Sequence, residues 1–169
     1  MRLFLIGMSH KTAPLEMRER LQLLCSEENQ PLTELMRLPG IMEALYLATC
    51  NRVEILARAE GDGQTVDVLK SFIYRQGNLS IAEMEKCLYI HRDLEAVRHL
   101  FRVTSSLDSM VMGEPQIMGQ MKEAYRMAVE SRATGVFLNR LSHHAFQAAK
   151  RVRTETGIAG NAVSVSYAA

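Results

Sequence analysis

The chain has 169 residues, 47% hydrophobic and 23% charged, which is typical of a globular protein and excludes an intrinsically disordered one. Twenty lysines and arginines against nineteen aspartates and glutamates give a net charge of +1, so binding to nucleic acid or a membrane would need a local basic patch. Three widely spaced cysteines, Cys25, Cys50 and Cys87, and the lack of any apolar run long enough for a signal peptide or membrane span predict a cytoplasmic protein.

The first part of the chain predicts strands and helices in alternation. In chain order these are a strand over 2–8, a helix over 15–24, a helix from Ser26 to the Pro39-Gly40 stop, and strands over 43–49 and 53–59. Apolar and polar residues alternate along the 53–59 segment, which predicts a strand that is buried on one face only.

The segment that follows completes an α+β pattern. A helix is predicted over 64–76, a capping box at Ser80 to Glu83 opens a short helix, and a strand follows over 87–91. The order strand, helices, strand, strand, helices, strand is that of the ferredoxin-like split βαβ arrangement. We therefore predict an α+β fold, with a ferredoxin-like βαββαβ sheet layer over 1–92 that carries its helices on one face.

The rest of the chain is predicted to be helical. Helices are expected near 93–106, 116–132 and 136–156, with a polar interruption at 107–115, which makes a helical subdomain of 93–157. The final VSVSYAA carries no stop signal, so we expect the chain to be a piece of a longer one.

Cys50 is the first candidate for chemistry. A free cysteine is usually a small and inert buried side chain. Thr49, Asn51 and Arg52, however, surround Cys50 with hydrogen-bond donors and a positive charge at a junction between two strands, where functional sites often lie. A nearby cation favours the thiolate, which is the attacking form of cysteine. The sequence thus leaves core residue and nucleophile as alternatives.

Arg52 has three possible roles. It can activate the Cys50 thiol, or its planar guanidinium can hold a substrate carboxylate with two hydrogen bonds. It can also form an ordinary salt bridge to Glu54 or to another acid. The sequence does not separate these roles.

His99 is the second candidate. The helix that begins at Asp93 should bury Val97, Leu100, Phe101 and Thr104, which places His99 about 200° around the helix from Val97. This position predicts a solvated histidine, unless the fold brings it to Cys50 as a proton shuttle or a substrate orienter.

Two further segments each have two interpretations. The segment 105–124 is either a capped loop and helix start or a set of backbone N–H, hydroxyl and amide groups for a polar substrate. The helix near 136–156 is either solvated or a local surface for an anion or RNA, through Arg140, His143, His144, Lys150, Arg151 and Arg153. The only close histidine pair is adjacent, so a zinc site is not expected, and no G-x-G-x-x-G fingerprint for a dinucleotide is present.

Five segments taken together resemble the glutamyl-tRNA reductases: GMSHKTAP, ATCNRVEI, SLDSMVMGEPQIMGQMKEA, AKRVRTET and AVSVSYAA. The resemblance implies an oxidoreductase of tetrapyrrole, porphyrin and haem biosynthesis. In that reaction a cysteine thiolate attacks the glutamyl-tRNA ester, and NADPH reduces the thioester to glutamate-1-semialdehyde. The resemblance implies that Cys50 is the nucleophile and that His99 acts in substrate orientation or proton transfer.

The resemblance also implies a set of substrate-binding positions, with Arg52 holding the glutamate carboxylate. These positions are Thr49, Asn51, Arg52, Ser109, Glu114, Pro115, Gln116 and Gln120. One departure is that Ser106 stands where the family usually has the glycine of a Gly-Leu-Asp-Ser segment.

Family members continue through a connecting helix, of which 158–169 would be the start, into an NADPH-binding domain and a C-terminal dimerisation domain. The resemblance therefore implies that NADPH binds outside this chain and that no metal is required. The partners it implies are glutamyl-tRNA, glutamate-1-semialdehyde aminomutase and a second full-length copy, with no membrane. The chain alone is expected to form or hydrolyse the thioester without reducing it.

Two other functions remain as alternatives. One is a thiol-dependent hydrolase or transferase of aminoacyl esters with no redox step. The other is a non-enzymatic RNA-binding module that uses the basic helix, in which Cys50 takes no part.

Overall fold

The computed structural model describes residues 1–22, 31–61, 63–77 and 80–159. In this part of the chain four strands form one antiparallel sheet in the order β2-β3-β1-β4. The strands are β1 (Arg2–Ser9), β2 (Ile41–Thr49), β3 (Arg52–Ala59) and β4 (Tyr89–Arg92). This order confirms the ferredoxin-like α+β fold that the sequence predicts.

Four helices pack on one face of the sheet. They are α1 (Leu15–Gln22), α2 (Pro31–Leu35), α3 (Gly63–Gly77) and α4 (Ile81–Cys87). Alternate residues of β1, such as Phe4 and Ile6, point to this face and join one hydrophobic cluster with Leu21, Phe72 and Met84. The predicted helices of the first half of the chain thus lie on one face.

The helices of the second half cover the opposite face. They are α5 (Leu94–Thr104), α6 (Gln116–Glu130) and α7 (Val136–Glu155). The other alternate strand residues, such as Leu5 and Leu56, form a second cluster there with Leu100, Met121 and Leu138. Our prediction that the 53–59 strand is half-buried is therefore wrong, because α5 to α7 shield the face that an isolated ferredoxin-like layer would expose.

Most predicted element boundaries agree with the structure to within two residues. The predicted strand over 87–91 is wrong at its start, because Cys87 is the last residue of α4 and β4 begins at Tyr89. The predicted helix start at Ser80 is confirmed, since the Ser80 side chain accepts from the Glu83 N–H at 3.4 Å; the Glu83 carboxylate in turn accepts from the Ser80 hydroxyl.

Some predictions fall outside the described residues. They concern Cys25, the helix start at Ser26 and most of the segment 158–169; the described chain closes with a 3₁₀ turn at Gly157–Ala159. None of the described helices combines the length and the low polarity that crossing a membrane would need.

A buried carboxylate joins the sheet to α7. Glu43, 4% exposed, accepts from the N–H groups of Gly135 at 2.8 Å and Leu138 at 2.7 Å, and its other oxygen accepts from Arg58 at 2.7 Å. Burial acts to raise the pKa of Glu43, but the bonds from Leu138, Arg58 and Gly135 outweigh it, and the pKa lies below its usual value. Glu43 therefore anchors the first turn of α7 as an ionised group.

Candidate active site

The tight turn between β2 and β3 presents Cys50 to solvent. Thr49, 3% exposed, pairs with Arg52 at the end of the two strands, and its hydroxyl accepts from the N–H groups of Asn51 at 3.2 Å and Arg52 at 3.1 Å. Cys50 itself is exposed. Cys87 is buried, and its Sγ lies 3.7 Å from the Met17 sulfur. Of the two interpretations of Cys50, the core residue does not fit this geometry.

Arg52 lies in the buried salt bridge that was one of its three possible roles. Its side chain is 1% exposed, and it donates from Nη1 to Glu54 Oε1 at 2.9 Å and from Nη2 to Asp108 Oδ2 at 3.2 Å and Asp108 O at 2.5 Å. Burial acts to lower its pKa, but Glu54, Tyr89 and Asp108 raise the pKa above the usual arginine value. Arg52 thereby ties the loop before α6 to the sheet.

Glu54 is the centre of a buried polar network. Its Oε1 lies 2.9 Å from Arg52 Nη1, 2.5 Å from the Tyr89 hydroxyl and 2.7 Å from His99 Nε2. Burial alone would raise the pKa of Glu54, yet the hydrogen bond from His99 and the charge of Arg52 hold the pKa below its usual value. Glu54 is therefore an ionised acceptor on which three side chains converge.

Gly7 makes room for this network. It pairs with Glu54 on β3 and with Tyr89 on β4, so the three residues form one row across the sheet. A Cβ on Gly7 would lie 2.4 Å from the Val53 oxygen and 2.8 Å from Glu54 Cγ. The missing side chain lets the Tyr89 hydroxyl reach Glu54 across β1.

His99 is not solvated, and that prediction is wrong. Its side chain is 13% exposed, it stacks on His91 with ring centroids 4.6 Å apart, and it also contacts Tyr89. Because α5 lies over the sheet, His99 faces the polar end of β3 instead of water, whereas Glu95 and Arg98 of the same helix are exposed. None of its contacts in the described chain is with Cys50, so His99 reaches the turn only through Glu54 and Arg52.

The loop between α5 and α6 folds onto the same network through Asp108. Asp108 accepts from Lys11 at 2.5 Å and from Arg52; burial acts to raise the pKa of Asp108, but Lys11 and Arg52 keep the pKa below its usual value. Ser106 has φ of 60°, in the left-handed region, and its hydroxyl donates to Glu114 O at 2.6 Å. A backbone conformation that favours glycine thus persists here with a serine.

The other predicted substrate residues lie in the loop between α5 and α6 and in α6 itself, and none of their contacts in the described chain is with Cys50. Ser109 and Glu114 are half-buried in the loop, while Pro115 and Gln116 are exposed at the start of α6. Gln120 lines a cavity of about 310 Å³ beside β2, together with Pro31, Leu32, Tyr46, Ala48, Gly119, Glu123, Ala124 and Met127. One of these lining residues, Ala48, lies two positions before Cys50 in the sequence.

Two residues that sequence reasoning missed contact the Cys50 turn directly. The backbone N–H of His10 donates to Asn51 O at 2.8 Å, and Arg18 Nη1 donates to Cys50 O. Burial, with the charges of Arg52, Lys11 and Arg18, lowers the pKa of His10, so its imidazole is neutral near pH 7. Arg18 lies three residues before the buried Leu21 and so shares its face of α1, but this spacing alone does not predict that a charged side chain is buried.

The basic helix has a mixed character. Arg151 pairs with Glu155 at 2.9 Å, and Arg153 donates to the Gly113 carbonyl at 3.3 Å. Arg140, His143, His144 and Lys150 are exposed. Among the residues that the structure describes, no three His, Cys, Asp or Glu side chains are gathered as a metal site would need.

Comparison with known proteins gives a consistent result. The family model described as "Glutamyl-tRNAGlu reductase, N-terminal domain" matches residues 6–156. The chain is 61% identical over 171 residues to a glutamyl-tRNA reductase of Syntrophus aciditrophicus (strain SB), covering all of this chain and 40% of that protein. It is 54% identical to a glutamyl-tRNA reductase of Syntrophobacter fumaroxidans (strain DSM 10017 / MPOB), covering 99% of this chain and 36% of that protein.

A solved structure agrees with the sequence comparisons. The glutamyl-tRNA reductase from Methanopyrus kandleri matches with a TM-score of 0.71 and 32% identity, over 91% of this chain and 35% of that one. The chain thus spans about two fifths of the length of the relatives that it matches.

Proposed function

This chain belongs to the glutamyl-tRNA reductase family as its N-terminal domain, and from that premise we propose that it is the part of the enzyme that receives glutamyl-tRNA and forms the covalent intermediate. The observation that carries the proposal is Cys50. It is an exposed cysteine at the tip of a turn that Thr49, His10 and Arg18 hold by hydrogen bonds.

The proposed step is an acyl transfer to Cys50. The thiolate sulfur forms a bond to the ester carbonyl carbon, and the bond from that carbon to the ribose oxygen of the tRNA breaks. The ribose oxygen takes up, from water, a proton equivalent to the one that the thiol released on ionising, and the glutamyl group remains on Cys50 as a thioester. An aminoacyl ester is an activated acyl donor, so the step needs no further activation of glutamate.

The substrate-binding residues are proposed from the family resemblance and from their positions. Thr49, Asn51 and Arg52 belong to the turn, where Thr49 fixes the backbone that carries Cys50. Ser109, Glu114, Pro115, Gln116 and Gln120 belong to the first turns of α6 and to the loop before it, which contacts Arg52 through Asp108. We propose that Arg52 acts on the glutamate carboxylate only if Glu54 or Asp108 releases it, since both acids occupy it here.

His99 is proposed as a positioning residue. It lies 2.7 Å from Glu54, and Glu54 in turn lies 2.9 Å from Arg52, which directly follows the turn. Through this chain of contacts His99 can set the orientation of Arg52, and hence the shape of the proposed substrate site at the Cys50 turn. A role in proton transfer would require the substrate itself to reach His99.

Reduction of the thioester is proposed to depend on the part of the protein that this chain does not span. NADPH supplies a hydride when bound. The described sheet is antiparallel throughout and has no strand-to-helix phosphate turn, so the residues present do not fit a dinucleotide and we assign none to it. The homodimer, the contact with glutamate-1-semialdehyde aminomutase and the cytoplasmic location are likewise proposals for the longer protein.

The test uses radiolabelled glutamyl-tRNA and the chain as it stands. We expect label on Cys50 through a bond that hydroxylamine breaks, and no semialdehyde when NADPH is added. Cys50→Ser should abolish the label, whereas Cys87→Ser, at a buried site beside Met17, should retain it.

Four outcomes would contradict the proposal. Absence of label with competent tRNA would argue against acyl transfer, and retention of label in Cys50→Ser would exclude Cys50. Aldehyde formation by this chain would contradict the division of labour. If longer relatives of this chain hydrolysed the ester without NADPH-dependent aldehyde formation, the hydrolase or transferase alternative would replace the reductase.

A further inference from the structure

The charges around the Cys50 turn do not balance. Lys11 and Arg52 are paired with Asp108 and Glu54 at distances of 2.5 to 3.2 Å. Arg18 is the third cation at the turn, and none of the ion pairs among the described residues includes it. Beside the candidate nucleophile, one positive charge therefore has no matching acid among the residues that the structure describes.

Arg18 is also buried. It is 7% exposed, and its Nη1 donates to the Cys50 carbonyl. Its Nε is shielded from solvent and has no hydrogen-bond partner in the described part of the chain. The edge formed by Nε and Nη2 is the side of a guanidinium that binds an oxyanion with two parallel hydrogen bonds.

A buried guanidinium with an unused donor is costly. Burial of an unpaired donor is unfavourable, and more so when the group is charged. Buried charges in proteins are therefore normally paired. The unmatched state of Arg18 indicates a partner that arrives with the substrate.

We propose that Arg18 binds an oxyanion of the aminoacyl-tRNA next to Cys50, an inference that rests on the proposed function. His10 supports this assignment. Its Nδ1 is also buried and has no partner in the described chain, and its backbone N–H donates a hydrogen bond to Asn51 in the same turn. Arg18 Nε and His10 Nδ1, both without a partner in the described chain, thus belong to two residues that each donate a hydrogen bond to the Cys50 turn.

Two groups of the substrate carry the required chemistry. The glutamyl side chain ends in a carboxylate, and the terminal nucleotide of the tRNA carries a phosphate. Both are oxyanions that an arginine holds with paired hydrogen bonds. They can be removed from the ligand one at a time, so binding measurements can tell them apart.

The test uses adenosine ligands that carry the amino acid in a stable 3′-amide bond, which Cys50 does not cleave. The set contains glutamyl and glutaminyl forms, each with and without a 5′-phosphate. Dissociation constants are measured for the native chain, for Arg18→Met and for Arg20→Gln, an exposed arginine on the same helix.

We expect Arg18→Met to weaken the phosphorylated glutamyl ligand by roughly tenfold to a hundredfold and Arg20→Gln to change it little. If the carboxylate is bound, the glutaminyl ligands will be insensitive to Arg18→Met. If the phosphate is bound, the ligands without phosphate will be insensitive. Either pattern supports the proposal and identifies the oxyanion.

A stability measurement separates this role from a structural one. Arg18→Met removes the bond to Cys50 O but also an unmatched buried charge, and because these effects oppose each other we expect the melting temperature to stay close to that of the native chain. If Arg18→Met unfolds the chain, or weakens all four ligands by one common factor, the proposal is overturned while the proposed function stands. If the native chain binds none of the ligands, both fail.

Discussion

Arg52 and Glu54 form an ion pair inside the protein, with Arg52 Nη1 2.9 Å from Glu54 Oε1 and side-chain exposures of 1% and 3%. The pair lies just after the Cys50 turn, on the face of the sheet that α5 covers. It fixes the direction of the arginine that the family resemblance assigns to the substrate. The stability of the chain and the geometry of the candidate site therefore depend on the same contact.

Glu54→Gln should destabilise the chain by about 3 kcal/mol, because it leaves the buried Arg52 with Asp108 as its remaining charged partner. Urea unfolding followed by circular dichroism measures the change. Glu95→Gln is the matched control, since Glu95 pairs with Arg98 at the surface with side-chain exposures of 57% and 60%, where little change is expected. Equal effects of the two variants would contradict a buried network.

Glu43 should make the chain sensitive to acid. Its pKa in the folded chain is lower than in the unfolded chain, so the unfolded chain binds the extra proton as pH falls. The stabilisation is present above 4.5, the ordinary value, and is lost as pH falls through the lower folded value. Glu43→Gln should therefore flatten the pH dependence of the unfolding free energy below pH 4.5.

Arg58→Met provides a graded comparison for Glu43. It removes one of three donors to the carboxylate and leaves those from Gly135 and Leu138. We expect an acid slope between those of the native chain and Glu43→Gln, measured by urea unfolding at several pH values. A slope as steep as that of the native chain would show that Arg58 does not contribute.

Ser106→Ala should destabilise the loop more than Ser106→Gly. Both lose the bond from the Ser106 hydroxyl to Glu114 O, but only glycine relieves the left-handed φ of 60°. We expect the glycine variant to be more stable than the alanine variant by about 1 kcal/mol. Thermal unfolding of the two variants gives the difference directly, and the reverse order would exclude a strained backbone at Ser106.

Gly7→Ala should be far more damaging than Gly119→Ala. A Cβ on Gly7 would lie 2.4 Å from the Val53 oxygen, and relief would have to move β3 at Glu54, at a cost of about 2 kcal/mol or more. Gly119 lies in α6 with nothing within 4 Å of the added atom, so alanine should stabilise that helix by up to about 1 kcal/mol. Urea unfolding tests both signs.

Much of the fold could be predicted from local pattern. Apolar alternation gave the strands, and the capping box at Ser80 located α4, because these signals act over a few residues. The burial of both faces of β3 could not be predicted, since it depends on α5 to α7 returning over the sheet. The same return explains why His99 is covered although it lies off the apolar stripe of its own helix.

The candidate site divides in the same way. Cys50, Thr49 and Arg52 are adjacent in the sequence and could be named from it. Arg18 and His10 contact the turn only after α1 and β1 fold against it, and Arg18 resembles any charged helix residue in sequence. Asp108, the acid in the loop before α6 that accepts from Arg52, lies 56 residues from Arg52 along the chain. Tertiary contacts of this kind leave no local trace.

The meeting of three donors at one oxygen of Glu54 has an evolutionary consequence. Arg52, Tyr89 and His99 share Oε1, and Gly7 keeps the path from Tyr89 open. Replacement of Glu54 would leave three donors without their shared acceptor, and loss of a donor or of the space at Gly7 would disturb the balance around a buried carboxylate, so neutral drift at one site alone should be rare. Across relatives of this chain the five positions should be inherited together and replaced together.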